Sequence, residues 1–154
     1  KSSGRVAVHS AEVPFVQGEK PLPNPFQSPL LALLMTPILL PSRPTPVKVD
    51  LPLNDGDCLS PLEGMEIIHS PGHSPGSISL YFPKRALLIV GDALEHRNGR
   101  LGLPSSHFTE NMDQAKQSIQ RLARLEFDVL CFSHFPPIYN GAMWALRGLA
   151  ESLD

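Results

Sequence analysis

Apolar and polar positions along this chain fall into short runs broken by proline and glycine. Arg5–His9 alternates and is rich in β-branched residues, as a half-buried strand requires, and Val47–Leu53 (VKVDLPL) alternates in the same way. Glu66–His69, Ser77–Phe82 and Ala86–Val90 are apolar runs too short for helices, so each predicts a strand. Phe127–Phe132 predicts a last buried strand, running on through Ser133 to His134. Helical spacing begins at Thr109 or Asn111, where Asn111 and Gln114 form a capping-box pattern and Ile119, Leu122, Ala123 and Leu125 share one face. Lys116, Gln117, Gln120 and Arg124 are then expected to face water. A terminal helix is predicted over Ala142–Leu153, with Met143, Trp144, Leu146, Leu149 and Leu153 mostly on one side, docked on the core.

The segments between these runs carry turn chemistry. Ala11–Gly18 reads as a short turn closing at Gly18, and Asn54–Asp57 (NDGD) as another. Asp55 and Asp57 lack the twelve-residue oxygen pattern of a calcium loop. Ala93–His107 is polar and glycine-rich and is expected to be a mobile surface loop, from which His96 or His107 would reach a substrate if it rims a pocket. Seventeen prolines, concentrated between Pro14 and Pro61, make that region connecting structure, because each removes an N–H donor and fixes φ. Within it, Gln27–Leu40 is the most apolar stretch. Ser28 and Pro29 can start a helix that ends near Met35, before Pro37. Such a helix is apolar on nearly every side and needs cover from the core or another subunit, although a substrate wall is the alternative. It is shorter than the roughly 20 apolar residues of a bilayer span, so no membrane crossing is expected.

Composition narrows the class. The chain has 154 residues, 42% hydrophobic and 18% charged, which suits one globular domain over residues 1–154. A net charge of -2 offers no excess that would attract a polyanion, so nucleic acid is not an expected partner. Cys58 and Cys131 form neither a disulfide framework nor a CxxC site and are expected to be buried thiols. The N-terminal KSSGRVAVHS has no signal-like apolar run, which gives a cytoplasmic expectation.

The chemistry concentrates at strand ends. The loop His69–Ser77 (HSPGHSPGS) is stiffened by two prolines and presents His73 from its middle. The third strand ends in Gly91 and Asp92, and the last runs into His134. Two imidazoles and a carboxylate would then meet at one end of a sheet. His9, alone in its segment, reads as structural or surface.

The strings GHSPGS, LLIVGDAL and CFSHFPPI resemble the second half of a metallo-β-lactamase-fold hydrolase. That resemblance implies an α/β fold: an incomplete αββα sandwich, its mixed β-sheet flanked by outer helices, with residues 1–154 as the C-terminal portion. It implies that His73 binds a first metal, that Asp92 bridges two metals and is catalytic, and that His134 binds the second. The cofactor would be zinc, one or two ions. Metal-bound hydroxide would attack an ester, thioester, lactone or related bond of a small-molecule substrate. Ser74, Ser77 and Ser133 would orient the imidazoles, and Tyr139 or Asn140 would hydrogen-bond a ligand or substrate. Phe135, where such hydrolases often carry glycine, would narrow the pocket.

One departure accompanies the match. The family's HxHxDH motif does not occur in these 154 residues. The expectation is a truncated chain beginning downstream of that motif, holding about half the ligands, binding metal weakly and turning over poorly alone. It would associate as a homo-oligomer or with a complementing N-terminal segment. The alternative is a catalytically inactive member acting as a structural or interaction module.

Overall fold

The computed structural model describes residues 4–21, 45–62 and 64–153. The helix expected within Gln27–Leu40 lies outside these residues. Strand β1 (Ala7–His9) pairs in parallel with β2 (Leu51–Leu53). Between them in sequence, a 3-10 turn (Ser10–Glu12) leads into the one-turn helix α1 (Val13–Val16), with Pro14 in its first turn, and the chain then turns at Gly18. The alternating run from Val47 yields a shorter strand than expected. Its leading residues bond elsewhere: Val47 N–H donates to Val16 O and Val49 N–H to Gln17 Oε1.

The main sheet has five strands in the order β3 (Cys58–Leu59), β4 (Met65–His69), β5 (Ile78–Phe82), β6 (Leu87–Ile89) and β9 (Val129–Cys131). It is mixed: β3 to β6 are antiparallel neighbours and β6 and β9 run parallel. Between them come the hairpin β7 (Glu95–Arg97) and β8 (Arg100–Gly102) and the helix α2 (Met112–Leu122), and α3 (Ala142–Glu151) follows β9.

Strand alternation divides the apolar residues into two layers. Ile68, Leu88 and Leu130 face α2 and α3, where Ile119, Leu122, Leu146 and Ala150 complete the larger core. Met65 and Ile67 form the second layer with Leu53 of β2, flanked by Ile78, Leu80 and Phe82. The helix-facing residues Ile68, Leu88 and Leu130 are fully buried, whereas on the other face Met65 and Ile67 are buried and Ile78, Leu80, Phe82, Leu87 and Ile89 are only half-buried among the described residues.

Three expectations need correction. Ala93–His107 contains a paired hairpin, Glu95–Arg97 against Arg100–Gly102: Asn98 and Gly99 both have positive φ (52° and 72°), the geometry of a tight two-residue connection. Trp144 is 68% exposed with the Arg147 guanidinium 5.3 Å from its ring, because Ala142, Leu146 and Ala150 are the buried stripe of α3. Cys58 is exposed on the edge strand β3, whereas Cys131 is half-buried and its thiol is pushed up in pKa by burial.

Candidate metal centre

The loop from β4 to β5 is held by its own backbone and by α2. Ser70 N–H donates to Ser77 O and closes its base, where the buried Ser70 and Ser79 hydroxyls also meet at 2.9 Å. Inside the loop Gly72 N–H donates to Ser74 O, and Ser74 N–H donates to Ser77 Oγ. The residues leading into α2 and α2 itself grip it from outside: Asn111 N–H donates to Gly72 O at 2.9 Å, Glu110 N–H to His73 O at 3.3 Å, and Ser118 Oγ to Pro71 O at 2.7 Å. Asn111 also caps α2, its Oδ1 accepting from Gln114 N–H. Gly72 has φ 137° and any Cβ there would overlap the backbone of Ala115, so only glycine fits this approach.

Asp92 leaves the tip of β6. Gly91 before it adopts φ 60°, while a Cβ there would come no nearer than 3.8 Å to Ser133 Oγ, so backbone conformation, not close approach, asks for glycine. Ser133 N–H donates to Gly91 O at 3.1 Å and ties the end of β9 to that turn. His134 follows, and the chain doubles back so that Leu130 and Ile138 exchange two backbone hydrogen bonds.

These elements bring His73, Asp92 and His134 together. Asp92 offers one oxygen to each ring: Oδ2 lies 4.0 Å from His73 Nε2 and Oδ1 lies 3.4 Å from His134 Nε2. All three line a cavity of about 470 Å³ with Leu94, Glu95, Arg97, Pro104, Ser105, Phe108 and Phe135. His73 Nδ1 is buried and has no hydrogen-bond partner.

The remaining candidates fall elsewhere. Ser74 and Ser77 bond to each other, and Ser74 Oγ donates to Glu12 Oε1, so their hydroxyls serve the loop and leave the His73 ring unbonded. Ser133 adjoins the Asp92 turn through Gly91. Tyr139 is 66% exposed and Asn140 is exposed, and neither lines the cavity. His96 is stacked on Phe132 and donates from Nδ1 to Pro136 O, and His107 is exposed outside the lining. His9 is buried, its ring 4.0 Å from that of His69 at 9°. Sequence reasoning missed Glu12, Arg97 and Phe108. Glu12 carries no motif, since its contacts lie 62 and 64 residues away. The Asn98–Gly99 pair did mark the hairpin that brings Arg97 to the cavity.

The donors suit divalent metal. Imidazole nitrogen and carboxylate oxygen are ligands zinc accepts, and two ligands about 2.0–2.1 Å from a tetrahedral ion lie about 3.4 Å apart. The His134–Asp92 separation matches that edge, whereas His73–Asp92 is wider. Among the described residues no group of three His, Cys, Asp or Glu side chains could hold one ion. The two imidazoles instead address different oxygens of one carboxylate.

The class defined by this fold and site is an α/β protein with two imidazoles and a carboxylate gathered at the strand ends of a mixed sheet. The chain belongs to the metallo-beta-lactamase superfamily, whose family model matches residues 4–134. It is 29% identical over 147 residues to the probable metallo-hydrolase YflN of Bacillus subtilis (strain 168), covering 86% of this chain and 55% of that protein. It is 32% identical over 80 residues to a hydroxyacylglutathione hydrolase of Bartonella tribocorum, covering 51% of this chain and 29% of that one. Among solved structures, the metallo-beta-lactamase family protein TTHA1429 of Thermus thermophilus superposes with TM-score 0.61 at 25% identity, over 97% of this chain and 51% of its own. TTHA1623 in a di-iron-bound form superposes with TM-score 0.57 at 26% identity, over 88% of this chain and 59% of its own. The chain therefore spans about half the length of YflN and of these structures, and less of the hydroxyacylglutathione hydrolase. No helix among the described residues is long and apolar enough to cross a membrane.

Proposed function

We propose that this chain supplies part of the centre of a metal-dependent hydrolase acting on an ester-type bond of a small molecule. The observation that carries the reading is the seating of Asp92 between His73 and His134, one oxygen toward each ring, inside one cavity. His73, Asp92 and His134 would hold one or two divalent ions, zinc being among those this donor set accepts. When bound, such ions supply the charge that activates water and polarises a carbonyl. The di-iron form of TTHA1623 and the hydrolase names of YflN and the Bartonella protein support this reading by similarity.

The chain's own residues suggest the kind of substrate. Leu94, Pro104, Phe108 and Phe135 give the cavity an apolar wall suited to the non-reacting part of an acyl or aryl ester, thioester or lactone. Arg97 stiffens that wall: its guanidinium lies 5.1 Å from the Phe135 ring while its Nε–H donates to Glu95 Oε2 at 2.7 Å.

The test is a zinc titration of the chain and of its Asp92→Asn variant. Hydrolysis of esters, thioesters and lactones is then assayed with and without an added HxHxDH-bearing segment. Zinc uptake lost in Asp92→Asn, and hydrolysis gained when the segment is present, are the expected results. Equal zinc uptake by both proteins would overturn the reading. Uptake without hydrolysis even in the presence of the segment would favour a non-catalytic interaction module.

A further inference from the structure

We infer that Glu12 is a positioning residue that sets the orientation of His73 from a distant part of the chain. The inference rests on the reading of His73 as a ligand, but its geometry stands by itself. No hydrogen bond reaches His73 Nδ1, and Nε2 faces Asp92 at 4.0 Å, so the ring is aimed by its backbone and not by a bonded neighbour. What holds that backbone therefore decides where the ring points.

Two grips hold it. One is α2 with the two residues before it, through the carbonyls of Pro71, Gly72 and His73. The other comes from the 3-10 turn after β1. Glu12 Oε1 accepts from Ser74 Oγ at 2.8 Å and from Gly76 N–H at 2.7 Å, the residues on either side of Pro75. Hydrogen bonds to an ionised acceptor are stronger than neutral ones, so this pair is a firm attachment. Three residues before Glu12, the His9 ring stacks on His69, and His69 Nε2–H donates to Pro75 O at 2.9 Å. The segment from His9 to Glu12 thus holds the loop at its root and again just beyond His73. Gly76 is shaped for this contact, since a Cβ there would overlap Glu12 Cγ and lie 2.8 Å from Oε1.

The experiment uses the full chain and its Glu12→Ala, Glu12→Gln, Gly76→Ala and Glu12→Ala/Gly76→Ala variants. Three quantities are read: zinc affinity by chelator competition, the ¹⁵N-detected imidazole signals of His73 in metal-free protein, and exchange of the Gly76 amide. Partners that orient a metal ligand are worth 10–100-fold in affinity, so Glu12→Ala is expected to weaken zinc binding about tenfold, shift the His73 signals and speed Gly76 exchange. Glu12→Gln keeps an oxygen acceptor and should recover most of the affinity. Gly76→Ala should disturb the His73 signals alone and less so with Glu12→Ala, which removes the atoms it would strike. This variant also serves if Glu12→Ala does not fold. Unchanged His73 signals in both Glu12→Ala and Gly76→Ala would overturn the inference. If the unsubstituted chain takes up no zinc, the metal reading fails, and the metal-free His73 signals alone decide for or against Glu12.

Discussion

The His9–His69 stack and the His73–His134 pair differ in what their nitrogens meet. In the stack, His9 Nδ1 accepts from Ala11 N–H at 3.2 Å and His69 Nε2–H donates to a backbone carbonyl, while the ring faces cover each other. In the cleft, His73 and His134 turn Nε2 toward one carboxylate at distances too long or too poorly aligned for hydrogen bonds, and His73 Nδ1 has no partner. Backbone satisfaction fixes an imidazole as a structural part. A nitrogen left facing only a carboxylate remains able to take an ion. The two environments flank a single loop, so the same side chain meets opposite surroundings within four positions, at His69 and His73.

Substitutions can break or sharpen that contrast. The largest effect is expected from Asp92→Asn, which removes the charge shared by the cleft pair. Zinc affinity should fall on the order of 100-fold or more, equivalent to about 2.7 kcal/mol, with little change in folding stability. Chelator competition alongside urea unfolding measures both; a stability loss matching the affinity loss would make Asp92 a structural residue too.

Next in size is His69→Ala, which removes the stack and the bond to Pro75 O. Stability should fall by roughly 2 kcal/mol in urea unfolding, the scale of one lost hydrogen bond plus lost aromatic packing. No loss would mean that the stack contributes nothing.

Acidification tests the stack more gently. Burial, then the neighbouring His69, lowers the His9 pKa from its ordinary 6.5, against the opposing pull of Glu12, Asp55 and Asp57. The unfolded chain then binds the proton more readily than the folded one. The neutral ring's full contribution is present above pH 6.5 and declines as pH falls below it, until the folded group also protonates. Asp55 acts in a lower window. Burial alone would raise its pKa, but the Arg121 guanidinium and the His69 N–H outweigh it and hold the carboxyl below 3.8, so its stabilisation is lost only as pH falls below that value. His9→Phe should flatten the upper part of the stability–pH curve and leave the lower part unchanged, at a cost near 1 kcal/mol at pH 7.5 for the acceptor lost to Ala11. An unaltered upper limb would assign that pH dependence elsewhere.

The smallest effect is expected from His134→Ala on folding. The His134 side chain is 73% exposed, so stability should change by no more than about 0.5 kcal/mol while zinc affinity falls. A larger stability change would blur the distinction between the two pairs.

How far the letters carried depended on the range of the interactions. Strands β4, β5 and β6 were legible because apolar runs of strand length sit between proline and glycine breaks, and α2 because its N-cap and apolar face are local. The hairpin β7–β8 was hidden by its charged strands, Glu95-His96-Arg97 and Arg100, which give no apolar alternation even though Asn98–Gly99 specified the turn. Trp144 was misplaced because α3 is apolar on more than one side, and only contact with α2 and β9 selects the stripe that is buried.

The sequence by itself determined the strand-loop-strand core, the stiff loop carrying His73, and the placement of Asp92 and His134 just past strand ends, because each is set by residues within a few positions of one another. Only the tertiary structure decided which carboxylate oxygen each imidazole faces, that His9 would be buried against His69, and that Glu12 would hold the loop. Those contacts join segments tens of residues apart, and their distances follow from how the sheet, the helices and the β1–β2 unit assemble, which no local pattern of letters encodes.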